Sequence, residues 1–239
     1  TGSASAAATS TQRVSSMGPP ELGRNQRAPG FVTSIDIERI LVCAIAADGV
    51  AVLRAGIGEF IPQDAVLAEL YGTDAQHCDV AGCISLGLER TMQQDVSFGF
   101  RQLVDLAIKA LSPGINDPTT AVQALDQIHD LLRRLAHRPM APGRAADSAG
   151  RVRLLYPSPS WDSTVALALD EIRMYGAGSL QVHMRMRGLV EDLLSITTAD
   201  ERRRSLLAQL ELLDLASTRA FPDYHDRVSA SRTHAEENR

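Results

Sequence analysis

The sequence predicts an α+β fold, with a small β-rich N-terminal module followed by a mainly helical bundle built on antiparallel helix hairpins. Three observations predict it. Aromatic residues are scarce, with one Trp, four Tyr and five Phe, so the core has to be assembled from Leu, Val, Ile and Ala, which suits helices. Between residues 31 and 90, short apolar runs are interrupted by glycine, proline and aspartate at intervals typical of strands. Beyond residue 91, apolar positions recur at three- and four-residue spacing over long stretches, the period of an amphipathic helix.

Residues 1–30 are rich in small and polar types, contain three prolines and show no apolar period. They read as a flexible linker, slightly basic because Arg13, Arg24 and Arg27 face only Glu21. The module at 31–90 opens on the extended run FVTSID. IERILVCAIAAD follows, with Ile37, Ile40, Leu41, Ala44 and Ile45 on one helical stripe. After Asp48-Gly49, VAVLRAG is a short β-branched run bounded by glycines. GEFIPQDAVLAELYG supplies two extended pieces, around Phe60 and over Val66–Leu70, joined by Pro62-Gln63-Asp64. CISLGLERT at 83–91 alternates imperfectly and reads as a further strand.

The helical domain spans 91–229. In FGFRQLVDLAIKAL the residues Phe100, Leu103, Val104, Ala107, Ile108 and Leu111 mark a buried face, while Arg101, Asp105 and Lys109 line the opposite one. In TTAVQALDQIHDLLRRLAHR the stripe is Val122, Leu125, Ile128, Leu132 and Leu135. Two such helices with a short link form an antiparallel hairpin. A strand is expected at 151–156. SWDSTVALALDEIRMYG is the next helix, capped by Ser160 and stopped at Gly176 or Gly178, and SLQVHMRMRGLVEDLLSI follows it. Thr198 and Glu201 have capping-box spacing. They open ADERRRSLLAQLELLDLASTRA, whose core stripe reads Leu206, Leu207, Leu210, Leu213 and Ala216 or Ser217. Residues 230–239 are a polar tail.

The loop SPGINDP between the two hairpin helices is explained in full as a turn. Pro113 disfavours helical geometry at Ser112, and Gly114 supplies backbone freedom past the helix end. Asp117 is an N-cap, with Pro118 at the first helical position. Together with its flanks, however, the loop forms a long pattern: R-T-x-x-Q-D from Arg90, then F-G-x-R-Q-L-V-D-x-A, then A-L-S-P-G-I-N-D-P-T-T-A. This pattern resembles the signature of a bacterial predicted membrane protein family, the domain of unknown function 2254. Ser34-Ile35-Asp36, Gly58-Glu59-Phe60 and the run from Arg173 to Gly178 agree with it, while Pro62-Gln63-Asp64 departs from it. The resemblance covers about residues 31–225. It implies that the chain is the soluble C-terminal region of an integral membrane protein, with residues 1–30 leading from the last span; it implies no reaction.

Charge and composition narrow the function further. A net charge of −5 argues against nucleic acid, which requires clustered Lys and Arg, and against direct lipid binding by the folded part. No segment reaches the roughly 18 apolar residues of a membrane span, and no signal-peptide pattern is present. The chain begins with Thr, which suggests a piece whose missing part lies upstream. Cys43, Cys78 and Cys83 are an odd set and read as reduced thiols in a cytosolic setting. His77, Cys78 and Cys83 lack the fourth ligand of a structural zinc. Asp95, Asp105 and Asp117 are flanked by arginines that would repel a hard cation, so neither a metal nor a cofactor is expected.

A ligand site, if present, is expected at Arg90, Asp95, Arg101, Asp105, Asn116 and Asp117, against the simpler reading of a structural ion network. Ser112 lacks a nearby base, His129 and His137 read as solvated, and no phosphate-binding glycine motif is present. Whether the chain is an enzyme stays open. The preferred reading is a non-enzymatic assembly or regulatory domain on the cytoplasmic side of the inner membrane. Its expected partners are a second copy and the membrane-spanning part of its own chain. The alternative is a ligand-sensing or hydrolytic domain with its pocket around SPGINDP.

Overall fold

The computed structural model describes residues 18–230. It confirms an α+β fold, and the described residues are organised as two compact units: residues 18–98 with 141–158, and residues 99–140 with 159–230. Residues 1–17 of the expected linker and 231–239 of the expected tail lie outside the described residues.

The first unit holds the strands. A five-stranded sheet runs in the order β1 (Glu21–Arg24), β5 (Val66–Tyr71), β3 (Val50–Leu53), β8 (Val152–Leu155), β7 (Arg144–Ala146). All its neighbours are antiparallel except β3 and β8, which run parallel with Ala51 opposite Leu154. A second, antiparallel sheet has the order β4 (Phe60–Ile61), β2 (Gly30–Ile35), β6 (Ile84–Gly87). Helix α1 (Ile37–Ala46) starts at Asp36, whose carboxylate accepts the Arg39 N–H. Ile40 and Ala44 of α1 bury into a core shared with Leu53, Leu67, Ile84 and Leu154.

Two expectations change here. The linker assigned to 1–30 does not extend to its end. Glu21–Arg24 pair along β5, and Asn25 is fully buried, accepting the Arg27 N–H and donating its amide to the Pro62 carbonyl. A run without apolar period reads as a linker, yet an edge strand takes its hydrogen bonds from its neighbour and needs little apolar surface of its own. The β module is also not continuous in the chain, since β7 and β8, read as part of the helical domain, complete its larger sheet.

The second unit is helical. After α2 (Val96–Ala110), whose first residues belong to the first unit, come α3 (Pro118–Ala136), α4 (Trp161–Tyr175), α5 (Leu180–Ile196), α6 (Asp200–Ala220) and α7 (Tyr224–Ala230). Phe100, Val104 and Ala107 of α2 pack with Leu125, Ile128 and Leu132 of α3, and with Leu169, Ile172, Leu189 and Leu193. Ser160 caps α4 through a reciprocal capping box with Ser163, and Gly176 ends it. The box expected from Thr198 and Glu201 does not form. Ala199 is the N-cap of α6 and no side chain bonds to the helix start there. Instead the Arg203 guanidinium draws in the carbonyls of Leu194 and Thr197 at the end of α5. The buried positions of α6 are Leu206, Gln209, Leu213 and Ser217, so the helix is rotated from the expected stripe and Leu207 is 46% exposed.

Candidate functional site

The six expected site residues fall in both units. In the first, Asp95 is 4% exposed and receives the Arg90 guanidinium at Oδ2, from Nε at 3.0 Å and Nη2 at 2.7 Å. Its other oxygen accepts the Phe98 N–H at 2.9 Å, which caps α2. The Arg90 guanidinium also lies over the Phe98 ring, 4.9 Å from its centroid. Gly58 closes the opposite side with φ +79°, where a Cβ would stand 2.1 Å from Asp95 Oδ2. Gln94 completes the R-T-x-x-Q-D run by accepting the Ile35 N–H at the end of β2. Gln94 therefore ties the run to the smaller sheet, while Arg90 and Asp95 pair with each other and fix the start of α2 beside Gly58.

In the second unit, Arg101 grips Glu171 of α4 with two parallel bonds of 2.5 and 2.9 Å and donates its Nε to Asp105 at 2.8 Å. The Arg101 guanidinium holds the Glu171 carboxyl below the usual carboxylate range, outweighing the opposite effect of burial. The pair is partly solvated, with the Glu171 side chain 43% exposed, so it is worth about 0.5–1 kcal/mol. Asp117 caps α3, accepting the Thr120 hydroxyl at 2.6 Å and its N–H at 3.1 Å; both bonds hold its carboxyl below the usual range. The helix N-terminus that would attract an anion is thus already filled by the protein's own carboxylate.

Asn116 is exposed, and its backbone rather than its side chain explains its presence. It has φ +48°, in the left-handed region that asparagine tolerates better than most residues. Gly114, expected to provide that freedom, is not among the positive-φ residues. The turn closes through the Ile115 and Asn116 N–H groups on the Ser112 carbonyl and the Asp117 N–H on that of Ala110. No hydrogen bond or ion pair joins Arg101 or Asp105 to Asn116 or Asp117.

Sequence reasoning missed three features. His129, read as solvated, is bound on both ring nitrogens between α3 and α5. Nε2 lies 2.7 Å from Asp192 Oδ2, and Nδ1 lies 2.9 Å from Arg185 Nη2. A guanidinium only donates, so Nδ1 is the acceptor and Nε2 donates to Asp192. Neither nitrogen is left to act as a base. Burial raises the Asp192 carboxyl, but the bonds from Arg133 and His129 outweigh it and hold it below its ordinary value.

The second missed feature is Arg153, whose side chain is 2% exposed. It donates to Asp147, to the Gly49 carbonyl and to Asp48 at 3.0, 3.0 and 2.8 Å. The Asp48-Gly49 turn was the only hint of it in the sequence. The third is a cleft of about 410 Å³ in the first unit, lined among others by Glu21, Arg24, Arg27, Gln76, Cys78 and Asp79. None of the six expected residues lines it. Among the described residues, no group of three or more His, Cys, Asp or Glu is placed to hold a metal ion.

Comparison with known proteins places this arrangement in context. The chain is 30% identical over 209 residues to an uncharacterised protein of Mycobacterium bovis and to an uncharacterised protein of Mycobacterium tuberculosis. The alignment covers 83% of this chain but 40% of each relative, so the chain spans well under half the length of the curated relatives it matches. No solved structure matches it. Residues 4–192 match the family described as predicted membrane protein (DUF2254), and with the signature residues folded as described, the chain belongs to that family.

Proposed function

We propose that the chain is the C-terminal, non-membrane part of a membrane protein of this family, and that it acts on the cytoplasmic side as a non-enzymatic domain through which two copies assemble. Among the described residues no helix is long and apolar enough to cross a membrane. More than half of each relative lies outside the match, ample for spans of about 20 residues each. Unpaired cysteines and the basic excess of residues 1–30 favour the cytoplasmic side.

The observation that carries the assembly reading is the outer face of α6, which exposes Leu207, Leu212 and Leu215 at 46%, 36% and 53%. The occupant that fits is the same helix of a second copy, running antiparallel about a two-fold axis between the exposed Ala208 and Glu211. That register sets Leu207 against Leu212. It also sets Arg204 against Leu215 beside Asp214, and Glu201 against Thr218 beside Arg219, so opposite charges flank the apolar contact. The internal pairing of Arg90, Asp95, Arg101 and Asp117 weighs against a ligand pocket built around SPGINDP.

Light scattering of the 239-residue chain tests the reading. A dimer is expected, with Leu212→Glu/Leu215→Glu returning it to monomer at unchanged helicity. A monomer persisting to millimolar concentration refutes assembly through this face.

A further inference from the structure

Cys43 on α1 and Cys78, just after the 3-10 turn at Ala75–His77, are far apart in sequence but meet in space. The Cys78 sulfur lies 3.5 Å from the Cys43 carbonyl oxygen, and both residues are half-buried while Cys83 is buried. Cys78 also lines the cleft of about 410 Å³, so a small reagent in the cleft meets this residue. Cys83 points elsewhere and donates its thiol to the Asp79 carbonyl at 3.4 Å.

We propose that Cys43 and Cys78 form a thiol modification site, in which a hydroperoxide entering the cleft oxidises Cys78 and Cys43 then closes a disulfide with it. The Cys78 sulfur attacks the O–O bond: an S–O bond forms, the O–O bond breaks, and the alcohol, or water from hydrogen peroxide, departs to leave a sulfenic acid. The Cys43 sulfur attacks that sulfenic sulfur, an S–S bond forms, and water leaves with the Cys43 proton. Two thiols are oxidised and one hydroperoxide is reduced.

The order of the two steps follows from the surroundings. Burial, with the Cys78 sulfur beside it as a partner for the Cys43 S–H, pushes the Cys43 thiol up to about 11. Cys43 therefore stays protonated at neutral pH and is the poorer first nucleophile. The Cys78 sulfur already stands against the Cys43 backbone, 3.5 Å from its carbonyl oxygen, and a disulfide joins residues whose backbones approach this closely. Closure ties α1 to the wall of the cleft and removes one thiol from its lining. This site is independent of the α6 face and of any assembly through it.

The test is peroxide treatment of the reduced 239-residue chain, followed by alkylation under denaturing conditions and peptide mass spectrometry. Alkylatable thiols are expected to fall from three to one, retained on Cys83, with a Cys43–Cys78 cross-linked peptide that dithiothreitol reverses. Cys83→Ser should still form the cross-link. In Cys43→Ser the reaction should stop at a Cys78 sulfenic acid that dimedone traps. In Cys78→Ser the Cys43 thiol should survive. The proposal is overturned if three thiols persist, if Cys78 over-oxidises while Cys43 stays alkylatable, or if the cross-link involves Cys83 or a second chain. The wild-type thiol count decides the matter even if a variant fails to fold.

Discussion

Substituting Gly58 by alanine removes nothing and adds one methyl group, yet it should be among the most damaging changes in the first unit. Two costs combine. At φ +79° an L side chain is strained by about 1–2 kcal/mol. The new Cβ would also stand 2.1 Å from Asp95 Oδ2 and 2.7 Å from Arg90 Nη2, inside any tolerable contact, so the carboxylate has to move by more than 1 Å relative to an ordinary van der Waals separation of ~3.4 Å. That motion gives up the cap bond to Phe98, worth about 1 kcal/mol, and separates a buried carboxylate from its guanidinium. Breaking a fully buried pair costs about 3–5 kcal/mol. Here the Arg90 side chain is 26% exposed and rehydrates, so the lower end applies. With allowance for non-additivity, the loss should be about 4 kcal/mol.

Asp95→Asn is the control. It keeps the shape and the cap acceptor but gives up the charge, and should lose about 1–2 kcal/mol. The assay is urea unfolding by far-UV circular dichroism, combined with hydrogen exchange at the Val32 and Phe98 amides. The single tryptophan, Trp161, belongs to the second unit, so its fluorescence separates the two responses. If Gly58→Ala stays within about 1 kcal/mol of the wild type, or if Asp95→Asn is the worse variant, the clasp is not what the close approach of Gly58 serves.

Asn116 offers a sharper separation of turn from site. Asn116→Ala should lose about 1 kcal/mol to left-handed strain, lowering the melting midpoint by about 2–4 °C. Asn116→Gly should be close to neutral, because relief of strain offsets the added freedom of the unfolded chain. Equal losses in both variants would show that the amide itself matters and would return it to a binding role. Stability should also fall in two acid windows. Burial holds the His183 imidazole below its ordinary value of 6.5, so its contribution is complete above that value and is lost as pH falls below it. The backbone N–H of Arg151 holds Asp147 at about 2 against burial, helped by the Arg153 and Arg151 guanidinia. Its contribution is complete above the ordinary carboxylate value of 3.8 and is lost as pH falls toward 2. Urea midpoints measured from pH 8 to pH 2 check both, with His183→Gln expected to flatten the upper window and Asp147→Asn the lower one.

Local chemistry made much of this protein legible in advance. Proline after Ser112, the Asp117-Pro118 start, the Ser160 cap and the Gly176 stop each act within a few residues, so the sequence alone located the helices around them. The turn reading of SPGINDP also holds at Asp117. At Gly114 the local rule failed, because Asn116 took the left-handed conformation expected of the glycine. Thr198 and Glu201 had the spacing of a box, but helix α6 begins one residue later than the box requires. Helix starts are chosen by packing as well as by caps, and here Arg203 satisfies the preceding carbonyls instead.

The sequence by itself determined the α+β class, the amphipathic faces of α2 and α3 and the family signature, because helical period and turn chemistry are written in neighbouring residues. Only the tertiary structure decided that β8 lies beside β3, about a hundred residues away, or that Arg153 is buried against Asp48 and Asp147. It also decided that His129 is locked by Asp192 and Arg185 and that Cys43 meets Cys78. A strand carries no record of its partner and a charged side chain none of its counter-ion, since both are set by which distant surfaces exclude water together. The signature's ionic residues were therefore visible at once, and what each of them holds was not.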